Sequence, residues 1–175
     1  VVNVGDLKFN EYPLSFFMDL AYDYDRWGIG NLNSAKEYLE DWVKCGFGHC
    51  LGEEDRGKMA AVMEGYTKLN HNRKPEAMRP DLYHPTHDNE AGRMMERIDE
   101  LEGLLEELKA KVPPEAEAAF WELVYYPAKG SLNVQKWNLL AGLNHFYAGV
   151  GAVCANDYAD AMRECHRTDQ ALTET

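Results

Sequence analysis

Apolar positions recur along this chain at helical spacing, and clusters of glycine, proline and polar residues interrupt them. Leu14, Phe17, Met18 and Ala21 lie on one face of a helix predicted over residues 13–26. Pro13 suits its first turn, where the missing N–H has no intrahelical partner. Trp27-Gly28-Ile29-Gly30 breaks that pattern, and Asn33 or Ser34 is placed to cap the next helix. Its stripe is Ala35, Tyr38, Leu39, Trp42 and Val43, and Gly46 and Gly48 stop it. A third helix is predicted from about Glu53 to Asn70, with Met59, Val62, Met63, Tyr66 and Leu69 inward and acids at 53, 54 and 55 favouring its positive N-terminus.

The segment HNRKPEAMRPDLYHPTHDNE carries three prolines and reads as an ordered crossing rather than a helix. The most regular stretch follows. From about Glu90 to Lys111, Met94, Ile98, Leu101, Leu105, Leu108 and Val112 alternate steps of four and three, a heptad seam with a Glu-rich outer face. Pro113-Pro114 end it, and a short helix with Ala116, Phe120, Leu123 and Val124 inward runs to Tyr126-Pro127. A helix over residues 131–155 is predicted with Val134, Trp137, Leu140, Ala141 and Asn144 on one side and the small-residue run AGVGAVCA in its second half. A last helix over about 157–172 uses Tyr158, Ala161, Met162, Cys165 and Leu172. The expected fold is all-α, an up-and-down bundle of about six helices.

One segment does not fit a bundle. Val1, Val2 and Val4 are β-branched, Gly5-Asp6 closes the run, and a helix follows, which together read as a βα unit of a parallel fold. Nothing after residue 25 supplies a second strand. The expectation is therefore that Val1 is a cut end, that residues 1–27 are the last strand and helix of a truncated barrel, and that residues 28–175 form a helical-bundle domain.

Composition narrows the partners. The formal charge is −12, without a Lys/Arg-dense stripe, which argues against nucleic acid and anionic membrane surfaces. No apolar run approaches the roughly 20 residues that span a bilayer. Hydrophobic residues at 45% and charged residues at 27% are ordinary for a folded soluble domain, so disorder is not expected. Cys45, Cys50, Cys154 and Cys165 contain no CxxC pair and read as small buried residues or one disulfide.

Candidate chemistry is sparse. His84, His87 and Asp88 have a spacing that a metal could use, but they lie in a proline-rich loop without helical register, and loop packing is favoured. Cys45, His49 and Cys50 lack zinc spacing, and no Glu-x-x-His is present for a di-iron bundle site. There is no GxSxG, phosphate loop or dinucleotide glycine pattern, so no cofactor is implied. Trp27, Trp42, Trp121 and Trp137 could stack on sugars, although their positions on or beside apolar stripes favour the core. Arg73 and Lys74 could hold an anion, but neutralising the end of the third helix explains them better. Residues just past the C-terminal end of a parallel strand are where barrels and doubly wound sheets place their sites, and Asn3, Asp6 and Lys8 occupy that place. Turn and capping chemistry is the alternative for them.

Three blocks, VVNVGDLKFNEYPLSFFMDLAYD, YTKLNHNRKPEAMRPDLY and FWELVYYPAKGSLN, resemble successive blocks of glycoside hydrolase family 115, in order and over essentially the whole chain. The resemblance implies a xylan α-glucuronidase, an inverting enzyme that releases glucuronic acid or its 4-O-methyl ether from xylan side chains. It implies a parent with a catalytic (β/α)8 barrel, a helical bundle and a β-rich module, secreted or periplasmic, acting on glucuronoxylan oligosaccharides. Val1–Asp6 would be a late barrel strand and Pro13–Asp25 the helix after it. Within the NVGD block, Asn3 is expected to contact substrate, and Asp6 to contact it or anchor the loop. No catalytic residue is assigned. An inverting glycosidase needs two carboxyls about 6.5–9.5 Å apart, and the strands expected to supply them lie upstream, so the chain alone is expected to be inactive. The competing expectation is a free-standing helical interaction module, binding another helix or a second copy through the heptad seam or other exposed helices.

Overall fold

The computed structural model describes residues 4–5 and 8–174. They form an all-α helical bundle with no strand among them. The expected leading strand falls on residues of which 1–3 and 6 lie outside the described set, and Val4 and Gly5 are in neither helix nor strand. The helices are α1 (Glu11–Tyr22), α2 (Tyr24–Trp27), α3 (Ser34–Phe47), α4 (Glu53–Asn72), α5 (Glu90–Lys109), α6 (Pro114–Phe120), α7 (Tyr126–Gly149) and α8 (Ala155–Thr173). A 3-10 turn at Pro75–Ala77 sits in the proline-rich crossing, and a π-helical turn at Trp121–Tyr125 joins α6 to α7.

Three expectations are corrected. The helix predicted over 13–26 is two helices, because the Asp23 carboxylate accepts from the Arg26 amide and starts a new turn. Tyr126-Pro127 does not end a helix. The π turn ends with the Tyr126 N–H donating to the Trp121 carbonyl, and this wider turn lets Pro127, which has no N–H, pass into α7. The small-residue run AGVGAVCA is not helical throughout: α7 stops at Gly149, and Gly151, at φ +70°, turns the chain toward α8.

The chain divides into two compact units. The first comprises Val1–Glu64 and Leu104–Pro127. Its core holds Val43 and Phe47 of α3, Met59, Val62 and Met63 of α4, Leu105 and Leu108 of α5, and Phe120 of α6, none more than 2% exposed. Phe47 meets Phe120 edge-on at 6.5 Å. Burial of each such side chain contributes about 1.5–3 kcal/mol. Lys58 bridges Glu54 and Glu107, and Lys111 pairs with Asp55.

The second unit comprises Gly65–Gly103 and Ala128–Thr175. Leu69, Ala91, Ile98, Leu101, Leu132 and Leu139 form its core cluster, with Tyr66, Tyr83, Met94, Met95 and Leu143 packed against it. The buried face of α7 differs in part from the expected one: Leu140 is buried as expected, but Ala128, Leu132, Gln135 and Leu139 take the inner stripe, and Val134, Trp137, Ala141 and Asn144 are half-buried. The buried amides there donate hydrogen bonds, while Gln135 Oε1 is buried without a partner among the described residues. Asn133 donates to the Cys165 carbonyl at 3.0 Å, and Gln135 Nε2 lies 3.4 Å from Asn70 Oδ1 and 3.3 Å from the Arg73 carbonyl. Glu102 accepts from both Lys129 and Lys136, and Lys136 also reaches Asp99.

Candidate functional site

Asn3 and Asp6, the residues expected to contact substrate, lie outside the described residues. The segment that follows them is anchored within the first unit. Phe9, at φ +66°, stacks on Tyr126 with ring centroids 4.4 Å apart, and Lys8 Nζ is 3.8 Å from the Glu122 carboxylate. The chain then enters α1, whose side chains line one wall of an open groove of about 790 Å³ with α2 and α3.

The groove is built by ordinary helical spacing. Leu14, Met18 and Tyr22 follow one another at i, i+4 and i+8 along α1, and Tyr38, Asp41, Trp42 and Cys45 face them from α3. Tyr38 donates to Asp19 Oδ2 at 2.6 Å. Its ring packs against Phe16 at 5.0 Å and edge-on against Trp27 at 5.1 Å, and Trp42 meets Tyr12 at 5.4 Å. The Arg26 guanidinium lies 4.3 Å above the Trp27 ring and 3.5 Å from Asp41 Oδ2.

Burial, then the hydrogen bond and charge of Asp19, push the Tyr38 hydroxyl far above the ordinary tyrosine range. Tyr38 therefore keeps its proton at neutral pH and is a fixed donor, not a general base. Aromatic faces beside carboxylates and a guanidinium suit polar ring ligands, with rings covering C–H faces and charged groups taking hydroxyls. That is binding chemistry. Asp19, Arg26 and Asp41 escaped the sequence reading, and the i, i+4 step from Asp19 to Asp23 at the end of an apolar helix was the signal available. The tryptophans divide between roles: Trp27 is 7% exposed and belongs to the core, while Trp42, Trp121 and Trp137 are half-buried.

The other candidates have structural partners. His84 Nδ1 accepts the amides of Thr86 and His87, at 3.2 and 2.9 Å, which pins the proline-rich loop. No group of three His, Cys, Asp or Glu placed for a metal occurs among the described residues. Cys45, Cys50, Cys154 and Cys165 are thiols without a disulfide, and burial raises the Cys50 thiol pKa. Arg73 donates to the Ala77 carbonyl at 2.9 Å just past the end of α4. No helix among the described residues is long and apolar enough to cross a membrane.

Residues 1–77 match the family model of Glycosyl hydrolase family 115. No curated protein gives a significant match to the chain. The matched stretch contains the NVGD block, α1 to α4 and the groove between them, and it bears out the resemblance read from the first block and the start of the second. This part of the chain is similar to glycosyl hydrolase family 115.

Proposed function

We propose that the protein is part of a xylan α-glucuronidase, an inverting glycoside hydrolase that releases glucuronic acid or 4-O-methylglucuronic acid from xylan. The observation that carries the reading is the family match over residues 1–77, which begins on the NVGD block. In this reading residues 1–27 close the catalytic barrel and residues 28–175 are the supporting helical domain. Asn3 contacts substrate, Asp6 contacts it or anchors its loop, and neither acts as the catalytic acid. The aromatic and carboxylate lining of the α1–α3 groove supports a carbohydrate-handling role. These 175 residues carry no paired catalytic carboxyls in this reading and do not turn over substrate alone.

The test is uronic acid release from glucuronoxylan oligosaccharides. The full-length enzyme is expected to release it and the isolated chain not to. Silence from the full-length enzyme across xylan fragments overturns the family activity, and turnover by the isolated chain overturns its inactivity. Asn3→Ala in the full-length enzyme is expected to lower kcat/KM by about tenfold or more, the loss of one or two hydrogen bonds to substrate.

A second reading, a helical module that associates with a second copy, draws on the exposed apolar side chains of α1 and the turn after α2: Met18 at 58%, Tyr22 at 93%, Ile29 at 83% and Leu32 at 94%. The heptad seam itself is covered within the chain, since Ile98, Leu101, Leu105 and Leu108 are at most 1% exposed. Sedimentation decides this: a concentration-dependent dimer abolished by Met18→Asp with Tyr22→Asp favours the module, and a monomer at all concentrations removes it.

A further inference from the structure

The second unit contains a groove of about 340 Å³ whose rim is cationic in a chain of formal charge −12. Lys68 and Asn72 approach it from α4, Arg93 and Arg97 from α5, and Tyr83 from the proline-rich crossing. Leu69 and Met94 supply apolar lining, and Gly65 leaves α4 without a side chain there. Three cations therefore share one concavity with a single carboxylate, Glu90. That carboxylate has other work: its Oε2 accepts the His84 amide at 3.0 Å and holds the loop to the start of α5.

The two arginines are a turn apart on one helix, an i, i+4 arrangement in which like charges repel. Neither is locked away from a ligand by a strong ion pair. Arg97 Nη1 lies 3.5 Å from Glu100, and both side chains are at least half exposed, so water competes with that pair. Arg93 Nη1 donates to the backbone carbonyl of Asp88, which neutralises no charge and leaves the rest of the guanidinium fork available. Guanidinium forks match carboxylate and phosphate oxygens in pairs, and the low apolar wall beside them strengthens such contacts.

We propose that the groove between α4 and α5 binds a small anion, a carboxylate or phosphate group carried on a compact body that packs against Leu69, Met94 and Tyr83. The assignment stands apart from the glucuronidase reading and uses none of its residues. Bound anion relieves the Arg93–Arg97 repulsion, so occupancy also stabilises the start of α5 by mass action.

The test titrates the intact chain with inorganic phosphate, with D-glucuronate and with D-glucose at low ionic strength, following backbone amide shifts over residues 65–72 and 90–97 and the thermal midpoint. Saturable shifts confined to those residues with phosphate or glucuronate, absent with glucose and weakened by added salt, are expected. Phosphate alone binding identifies a phosphate source, glucuronate alone a carboxylate source, and either sustains the proposal. Arg97→Glu and Lys68→Glu, separately, are expected to weaken binding about tenfold each, the loss of one charge-assisted contact, while the circular dichroism of the folded chain is unchanged. No anion-dependent shift, equal shifts with glucose, or undiminished binding by both folded variants overturns the proposal. Should either variant fail to fold, Arg97→Gln gives the same reading, with weaker binding expected and unchanged binding counting against the site.

Discussion

Helix α1 carries Leu14, Phe17, Met18 and Ala21 at helical spacing and contains no buried residue, whereas α5 carries its seam at similar spacing and leaves Ile98, Leu101, Leu105 and Leu108 at most 1% exposed. Periodicity states that a helix has an apolar face. It does not state that anything covers that face. α5 is enclosed on its apolar side within each unit it enters: around Ile98 and Leu101 by Leu69, Leu132 and Leu139, with its Glu-rich side engaged by lysines. α1 is held instead from one side, by aromatic contacts to α3 and by the Tyr38–Asp19 hydrogen bond. Its remaining apolar side chains, Phe17 and Met18 among them, face solvent in the described chain.

Charge insertion separates the two helices most sharply. Ile98→Asp places an unpaired carboxylate at a position with no solvent exposure and is expected to cost at least about 4 kcal/mol, enough to abolish a cooperative urea transition. Met18→Asp, at a position 58% exposed, is expected to change stability by no more than about 0.5 kcal/mol. Comparable losses in both midpoints would break the comparison.

Glycines give the next contrast. A Cβ at Gly142 would stand 2.1 Å from the Pro80 carbonyl oxygen, a backbone atom, so Gly142→Ala must shift α7 or the proline-rich crossing and is expected to cost about 1–3 kcal/mol. Gly103 faces open space in the middle of α5, and Gly103→Ala is expected to stabilise by about 0.5–1 kcal/mol through helix propensity. Thermal unfolding of the two variants should move in opposite directions; a shared direction would mean the close approach at Gly142 is absent.

The ion network beside the α5 seam is expected to be pH-sensitive. Burial opposes ionisation of Glu102, but hydrogen bonds and charge from Lys136 and Lys129 outweigh it and hold the carboxyl below the usual glutamate range. A carboxyl lowered on folding contributes stability above its unfolded titration range and loses it as pH falls through the folded value. Glu102→Gln is expected to cost about 1–3 kcal/mol at neutral pH, because Lys129 and Lys136 are left partly buried with one acceptor fewer, and the deficit should shrink in acid. The Arg163–Asp160 pair, with side chains 66% and 74% exposed, is the control, and Arg163→Ala should leave the midpoint unchanged. A Glu102→Gln deficit that does not shrink in acid would refute the assignment.

A more modest loss is expected where α1 meets α3. Tyr38→Phe removes the hydroxyl that joins α1 to α3 and is expected to cost about 1 kcal/mol. In the wild-type chain, burial also raises Tyr12, Tyr83 and Tyr158, and the absorbance titration should show Tyr38 as the last tyrosine to ionise. Its titration with the exposed set would show that Asp19 and burial do not hold the proton.

Much of the fold was legible in the residues because helical periodicity and its interruptions are local. The α4 face at Met59, Val62, Met63 and Leu69 and the buried α5 seam match the periodicity, since each follows from one period and one set of side chains. Pro127 misled, because whether a proline ends a helix depends on the turn before it, and the π turn at Trp121–Tyr125 is a matter of the packed surroundings of Phe120 and Tyr125. The groove between α1 and α3 was also out of reach: Asp19 and Tyr38 are far apart in sequence, and only packing gives them a shared hydrogen bond.

The sequence by itself determined the all-α character, the helix faces with a strong repeat, and the family block that opens the chain. The tertiary structure decided which of those faces are covered. It turned α7 so that Gln135 rather than Trp137 lies inside, ended that helix at Gly149, and gathered Lys68, Arg93 and Arg97 around one groove. The physical reason is that a repeat fixes directions around one helix axis, whereas burial and charge clustering depend on what other segments bring to those directions.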